Sequence, residues 1–483
     1  MTEQSSDQPT QPNPAEERAI VLATVEIPTR SAQSASGTNT AHTDDVDDAA
    51  RQQRLLTWRT ALIWGFGAAL IHRVLLMIWL PLIWTVIGAG GGIPADFHAT
   101  ANANLPRLES PAEQTIFGVW RRWDAVHYLN LAYNGYRPGF AGIDVLGVPA
   151  APEVYTGYWG FRSDDPGPTV FGLLTPLGIR AFDLITPGPL DLGAVVFETL
   201  AFGLALTMLF RVVVVYYRDP GLAPWSVAVL ALLPLSFFFA APMSESIYLA
   251  LVLALFYYAA RDRWLIASIC GFLATLARSQ GVLLTPITGL LLLEAYWHLR
   301  RDWLYYGLVL FARGWPIAII SLGFMVFEVY RSSLDLPSVS RVYSEYSYNF
   351  FSNPINGLII NLRWFFERPE GFSITIDQWA LVLALSLGIA ALFFRKHRRI
   401  PLIAYTFVFL LLFVSRINYL FGTDIVLFTQ SIGRYTLVLF PIWVLLADGL
   451  RSSGWIVRVA GVGVLLLGLA FFSGLYVFAL TPP

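Results

Sequence analysis

Long apolar runs separated by short polar or basic turns fill the chain from about residue 60 to its end. A helix that crosses ~30 Å of hydrocarbon needs ~20 residues, and about twelve runs approach that length. They lie at 60–88, 168–186, 191–217, 222–242, 244–260, 263–278, 280–297, 304–331, 377–394, 400–421, 434–450 and 454–478. The weakest is 168–186, which carries Pro168, Pro176, Arg180 and Asp183. Non-helical backbone at membrane depth is tolerated where protein or a wet cavity covers it, so this run is expected to be broken or re-entrant. The pattern predicts an all-α polytopic membrane protein with about eleven full crossings. No sequence repeat is evident.

Residues 1–55 differ in kind. Gln, Ser, Thr, Pro and Asp dominate and end in Asp44-Asp45-Val46-Asp47-Asp48. Such a segment buries too little apolar surface to offset the entropy of ordering, and a disordered cytoplasmic tail is expected. It has no apolar core near Met1, so no cleavable signal peptide is read. The membrane domain is expected to occupy 56–483.

Lys and Arg in short loops set the orientation. Arg51, Arg54 and Arg59 precede the first run, and Arg395, Lys396, His397, Arg398 and Arg399 form the densest basic loop. Arg261/Arg263 and Arg300/Arg301 agree with them. These segments are expected inside, which puts the long loops 89–167 and 332–376 outside.

Composition sharpens the class. The chain is 56% hydrophobic and 13% charged, with mean hydropathy +0.58, against about 25% charged for a soluble domain. Its net charge of −1 and lack of a basic arm give no reason to expect nucleic acid as a partner. Cys270 is the single cysteine, so no intramolecular disulfide forms.

Trp120 to Tyr136 is the most informative stretch. It has no Pro or Gly before Gly135, and Asp124, His127, Tyr128 and Leu131 recur at helical spacing on one face. Trp and Tyr favour the membrane interface. The spacing therefore fits an amphipathic helix lying on the bilayer with Asp124 solvated; it also fits a reactive carboxylate facing outward. Glu245, Arg278, Arg434 and Arg73 sit in apolar company. An ionisable group at membrane depth costs at least ~2.5 kcal/mol, so each needs an ion-pair partner, a snorkelling route or a chemical task. There is no phosphate-cradling Gly-Lys-Ser/Thr loop, His-Glu-x-x-His motif or Gly-x-Ser-x-Gly elbow, and six dispersed histidines speak against a multi-His metal centre. No cofactor is implied.

Four blocks carry a resemblance. Trp123-Asp124-Ala125-Val126-His127-Tyr128 with Asn134-Gly135-Tyr136 resembles the first-loop motif of the GPI mannosyltransferase II (PIG-V) family. Pro234 to Phe239 with Ser244-Glu245-Ser246 resembles its Pro…Ser-Phe…Ser-Glu-Ser segment. Ala277-Arg278-Ser279-Gln280-Gly281 is similar to its Arg-Ser-x-Gly turn, and Gly433-Arg434-Tyr435 through Phe440-Pro441 to its late block. The four follow in the family's order over roughly 60–480. Two departures, the altered run Thr169–Leu177 and the Gly/Pro/Asp-rich insertion 137–165, flank the expected acceptor side and leave the acceptor open. The long polar tail suggests a bacterial relative in a plasma membrane, for which a GPI anchor is not the expected product.

The resemblance implies a membrane glycosyltransferase of the GT-C fold class, with interfacial helices in the first external loop. It implies a polyprenyl-phosphate-linked mannose donor and a lipid or glycan acceptor at the external face. Asp124 is then the expected general base for single-step inversion. Arg278 and Arg434 are expected to hold the departing phosphate. His127 is expected to assist there or to orient Asp124, and Glu245 to bind sugar hydroxyls or to anchor Arg278. Gln280 and Arg73 complete the expected donor set. A transporter or flippase of lipid-linked sugars is the alternative, since it too uses intramembrane arginines and broken helices.

Overall fold

The structure, a computed structural model, describes residues 57–88, 105–136, 167–345, 349–367, 375–419, 426–427 and 429–478. The expected tail 1–55, the insertion 137–165 and residues 89–104 of the first long loop lie outside the described residues. All described residues belong to one unit, Gln52–Pro483. The described chain is mostly helical.

Helix α1 (Trp58–Gly88) explains the environment by its two faces. Ala61, Ala69, Leu76 and Leu80 are buried, while Ile63, Leu70, Ile71, Ile78 and Val86 are exposed. A helix in water would carry polar residues on its open face; an apolar open face calls for lipid as the solvent. Among the described residues, six helices are long and apolar enough to cross a membrane: 58–87, 190–215, 279–299, 303–332, 376–393 and 455–477. Shorter apolar helices occupy 223–232, 245–260, 264–277 and 400–415. In run 168–186 the helix proper is only Leu174–Asp183, about 15 Å long and half of what a crossing needs.

Packing starts from α1 against the long helix Leu190–Val215. After α2 (Pro111–Ile116), α3 (Asp124–Asn134) and α4 (Leu174–Asp183), α5 spans Leu190–Val215. A Cβ on Gly65 would lie 2.2 Å from Thr207 Oγ1, and one on Gly203 would lie 2.5 Å from Phe66 Cδ1. Small residues thus let the two backbones touch, which is how helices associate where lipid removes the hydrophobic drive between them. The centre is filled by α7 (Glu245–Ala260), which follows α6 (Ala223–Leu232) and is buried along nearly its whole length. It packs on α5 and on α8 (Trp264–Ala277).

The remaining helices are α9 (Leu284–Tyr296), α10 (Trp303–Gly314), α11 (Ala318–Ser332), α12 (Val339–Glu345), α13 (Pro354–Arg363), α14 (Ile376–Phe393), α15 (Ile400–Ser415), α16 (Ile432–Thr436), α17 (Phe440–Ser452) and α18 (Trp455–Val477). One feature departs from the all-α expectation. Strands β1 (Asn349–Phe351), β2 (Arg416–Tyr419) and β3 (Val426–Leu427) form an antiparallel sheet in that order, with Phe351 opposite Arg416. Run 400–421 therefore stops being helical at Ser415. Neighbours take its terminal carbonyls: Ser352 N–H donates to Ser415 O at 2.8 Å, and Asn361 Nδ2 reaches Val414 O at 3.4 Å.

The helices run back and forth and sort the charges by end. Glu245 starts α7, Arg278 follows α8, Asp377 lies in the first turn of α14, Arg416 follows α15 and Arg434 is in α16. The basic turns at Arg261/Arg263 and 395–399 close the opposite ends of the same helices. There Asp219 binds Lys396 (2.6 Å) and Arg451 (2.8 Å), Asp448 binds His397 (3.1 Å), and Arg399 binds Glu294 (2.9 Å). Partly exposed pairs each contribute little, but this network ties the end of α5 to α9, α17 and the α14–α15 turn.

Candidate active site

Asp124 is aimed by a constrained approach. Trp123 precedes α3 with φ 52 and ψ −137, a conformation that costs a bulky residue on the order of 1–3 kcal/mol and persists only where neighbours enforce it. They do so here: Tyr476 Oη donates to the carbonyls of Trp120 (3.2 Å) and Arg122 (3.3 Å), and Arg122 Nε donates to Val477 O (2.9 Å). Arg121 grips Asp191 at the start of α5 through two bonds of 2.8 and 2.6 Å. α3 does not lie on the surface as an amphipathic interfacial helix would. Ala125, Val126 and Leu129 are buried, and the helix packs on α4 and α5.

Asp124 is not solvated, and neither Arg121 nor Arg122 is its partner. Its Oδ2 lies 2.7 Å from Arg434 Nη1. Arg434 Nε is 3.2 Å from Glu245 Oε1, an ion pair without hydrogen-bond geometry, and Arg278 Nη1 donates to that same oxygen at 2.7 Å. The result is a buried ladder, Asp124–Arg434–Glu245–Arg278. Tyr435 stands beside it: Arg416 Nη1 donates to its hydroxyl at 2.9 Å, and the guanidinium carbons of Arg278 and Arg434 lie 5.1 and 5.0 Å from its ring centre. The ladder and Arg416 bring three guanidiniums to two carboxylates, with the Asp377 carboxylate behind Arg434 at Gly433 N–H. Guanidinium planes suit anions, phosphate in particular.

Burial by itself would push the Asp124 carboxyl up. Arg434 foremost, with His127 and Arg416, more than offsets this and holds it below the usual carboxylate range. His127 is held below the ordinary imidazole value by burial, only partly opposed by Asp124. Its ring stacks on Phe171 at 5.7 Å. Tyr128, on the same helix face, donates to Ser244 Oγ at 2.9 Å and so fastens α3 to the turn that carries Glu245.

The structure thus gathers Asp124, Arg434, Glu245 and Arg278, with His127 one helical turn from Asp124. Glu245 anchors Arg278, one of its two expected tasks, while its Oε2 is buried without a hydrogen bond among the described residues. Gln280 lies in the 3₁₀ turn Ser279–Leu283, half-buried, with no hydrogen bond to the ladder among the described residues. Arg73 is set apart from it. Its Nε donates to Thr199 Oγ1 at 2.8 Å, and its guanidinium lies 5.2 Å from the Trp120 ring centre. Arg416 and Asp377 were missed by the sequence reading. Arg416 was counted inside an apolar run, although the cost of a guanidinium at that depth was the available signal. Asp377 is the first residue of the run 377–394 and was not singled out.

Among the described residues, no group of three or more His, Cys, Asp or Glu is placed to hold a metal ion. The chain matches no protein family, no curated protein and no solved structure.

Proposed function

We propose that this chain is a membrane glycosyltransferase of the GT-C class with about eleven crossings. In this reading it moves mannose from a polyprenyl-phosphate donor to a hydroxyl of a lipid or glycan acceptor at the external face of a bacterial plasma membrane. The observation that carries the proposal is one buried carboxylate on the first loop, Asp124, paired to an arginine that belongs to a cluster of three guanidiniums. The acceptor oxygen attacks the anomeric carbon and Asp124 takes its proton. The bond from that carbon to the phosphate oxygen breaks, and the polyprenyl phosphate leaves with the bonding electrons and inversion at the sugar. Arg278, Arg416 and Arg434 stabilise the leaving phosphate. His127, kept neutral, orients the base.

The ion pair gives the reaction an order. A carboxylate held low by Arg434 is a poor base, because basicity falls with pKa. A donor phosphate competes for the Arg434 guanidinium and restores basicity to Asp124 only when the donor is bound. The transporter reading would gain from inverted internal repeats with paired broken helices, and no sequence repeat is evident.

The direct test is sugar transfer by purified protein from polyprenyl-phosphate mannose to lipid acceptors in vesicles. Donor-dependent transfer is expected; vesicle flipping of the donor without transfer would replace the proposal by the transporter. Arg278→Lys keeps charge but loses the planar fork. It is expected to raise the donor KM by about tenfold, ~1.4 kcal/mol; an unchanged KM and rate would make Arg278 structural. For orientation, Ala112 of α2 and Arg398 of the basic turn are both exposed. In a Cys270→Ser background, Ala112→Cys should react with an impermeant thiol reagent on intact cells and Arg398→Cys only after lysis. The reverse pattern would invert the topology.

A further inference from the structure

Asp377 takes no part in the chemistry above, yet it is a carboxylate only 2% exposed. It lies in the first turn of α14, just inside the capping box formed by Thr375 and Gln378. Its Oδ2 accepts the Ser431 N–H at 2.9 Å, and its Oδ1 accepts the Gly433 N–H at 2.7 Å. Both donors belong to one turn. Ser431 has φ 68, a left-handed conformation uncommon for serine, and α16 begins at the next residue. Neighbouring N–H groups in such a turn form a concavity that binds anions, and here the chain's own carboxylate fills it. The approach is close: a Cβ on Gly433 would lie 2.6 Å from Leu235 Cδ1 and 3.2 Å from Asp377 Oδ1. Arg434 is the next residue, and Thr436 Oγ1 steadies the turn by donating to Gly433 O at 2.8 Å.

We propose that Asp377 is a positioning residue: it locks the turn Ser431–Gly433 so that Arg434 reaches both Asp124 and Glu245. Its catalytic meaning rests on the function proposed above, but the geometry also has a consequence that needs no substrate. Asp124 is faced by Arg434 from α16, Arg416 from β2 and His127 from its own helix, with the phenols of Tyr128, Tyr343, Tyr435 and Tyr476 nearby. Releasing the turn removes the strongest of the charges that draw the Asp124 carboxyl down. Its protonation then moves up in pH. Removing the Asp377 charge acts directly in the opposite sense, since one less negative charge favours ionised Asp124. The direction of the movement therefore separates positioning from simple electrostatics.

The experiment is an infrared pH titration of purified protein in detergent. The difference between wild type and Asp124→Asn isolates the Asp124 carboxyl band; the same difference is then taken in an Asp377→Asn background. The band is expected to appear about one pH unit higher or more in that background. No movement, or a downward movement, overturns the proposal. A merely structural role would lower the folded yield without moving the band. If the Asn variant is not recovered folded, Asp377→Glu keeps the charge, displaces the carboxylate by one methylene and carries the same expected direction. The acid limb of the transfer rate should move with the band. A band that moves in a protein without transferase activity would support the positioning and overturn the function, so the two failures are distinguishable.

Discussion

Asp124→Asn should lower sugar transfer by about 10²–10⁴-fold, the usual effect of losing a positioned base, while the protein stays folded. The amide keeps the shape and one acceptor for Arg434 Nη1, now 2.7 Å from the carboxylate. Arg434 also retains Glu245. Some stability is nevertheless lost, because Asp124 is a buried partner and not a solvated surface acid. The sign of the pH effect follows from its depressed folded value. Its contribution is complete above the carboxyl's ordinary range and disappears as pH falls through the folded value. Wild type should therefore lose thermal stability on acidification more steeply than Asp124→Asn.

The same linkage divides the two rate profiles. The limb of kcat/KM reports free protein and should lie below the usual carboxylate range; the limb of kcat, with donor phosphate drawing on Arg434, should lie at higher pH. Normal turnover by folded Asp124→Asn would remove the assignment. Coincident limbs would remove the donor-dependent release of the base.

Arg434→Gln should have the largest effect on stability. It leaves Asp124 buried without its ion pair, with Arg416 acting on it only from beside Tyr435, and leaves Glu245 with Arg278. Breaking a buried ion pair from one side typically costs about 3–5 kcal/mol, most of it from the stranded charge. The measurement is the thermal midpoint in detergent, together with a double-mutant cycle. Adding Asp124→Asn to Arg434→Gln removes the stranded charge and should restore part of the loss, giving a coupling of at least about 1 kcal/mol. An Arg434→Gln protein that melts with wild type, or strict additivity in the cycle, would show that the ladder does not hold the bundle end together.

Sequence by itself determined the solvent of this protein and the residues that had to be accounted for. Apolar runs of crossing length cannot be satisfied in water, so the membrane class follows from periodicity and composition alone. The break in 168–186 was legible because Pro168 and Pro176 are tolerated only near a helix start, where Pro176 falls in the first turn of α4, and Arg180 and Asp183 resist lipid. Glu245, Arg278 and Arg434 stood out by the same cost of burying charge, and Asp124 by its place on the helical face of Trp120 to Tyr136. Their pairing was not legible. Asp124 and Arg434 are far apart in the chain, and only the packing of α3, α7, α8 and α16 at one bundle end brings them together. Arg121 and Arg122 are nearer in the chain, but Arg121 is drawn to Asp191 and Arg122 to backbone carbonyls.

Arg73 illustrates the limit from the other side. Its depth in an apolar run marked it for a task, and the approach of α1 to α5 turned it to Thr199 and Trp120 instead. The end of α15 and the role of Asp377 depend on backbone N–H groups supplied by other segments. Such groups are common to every residue and carry no signature in sequence, so only tertiary structure decides which carboxylate or carbonyl they meet.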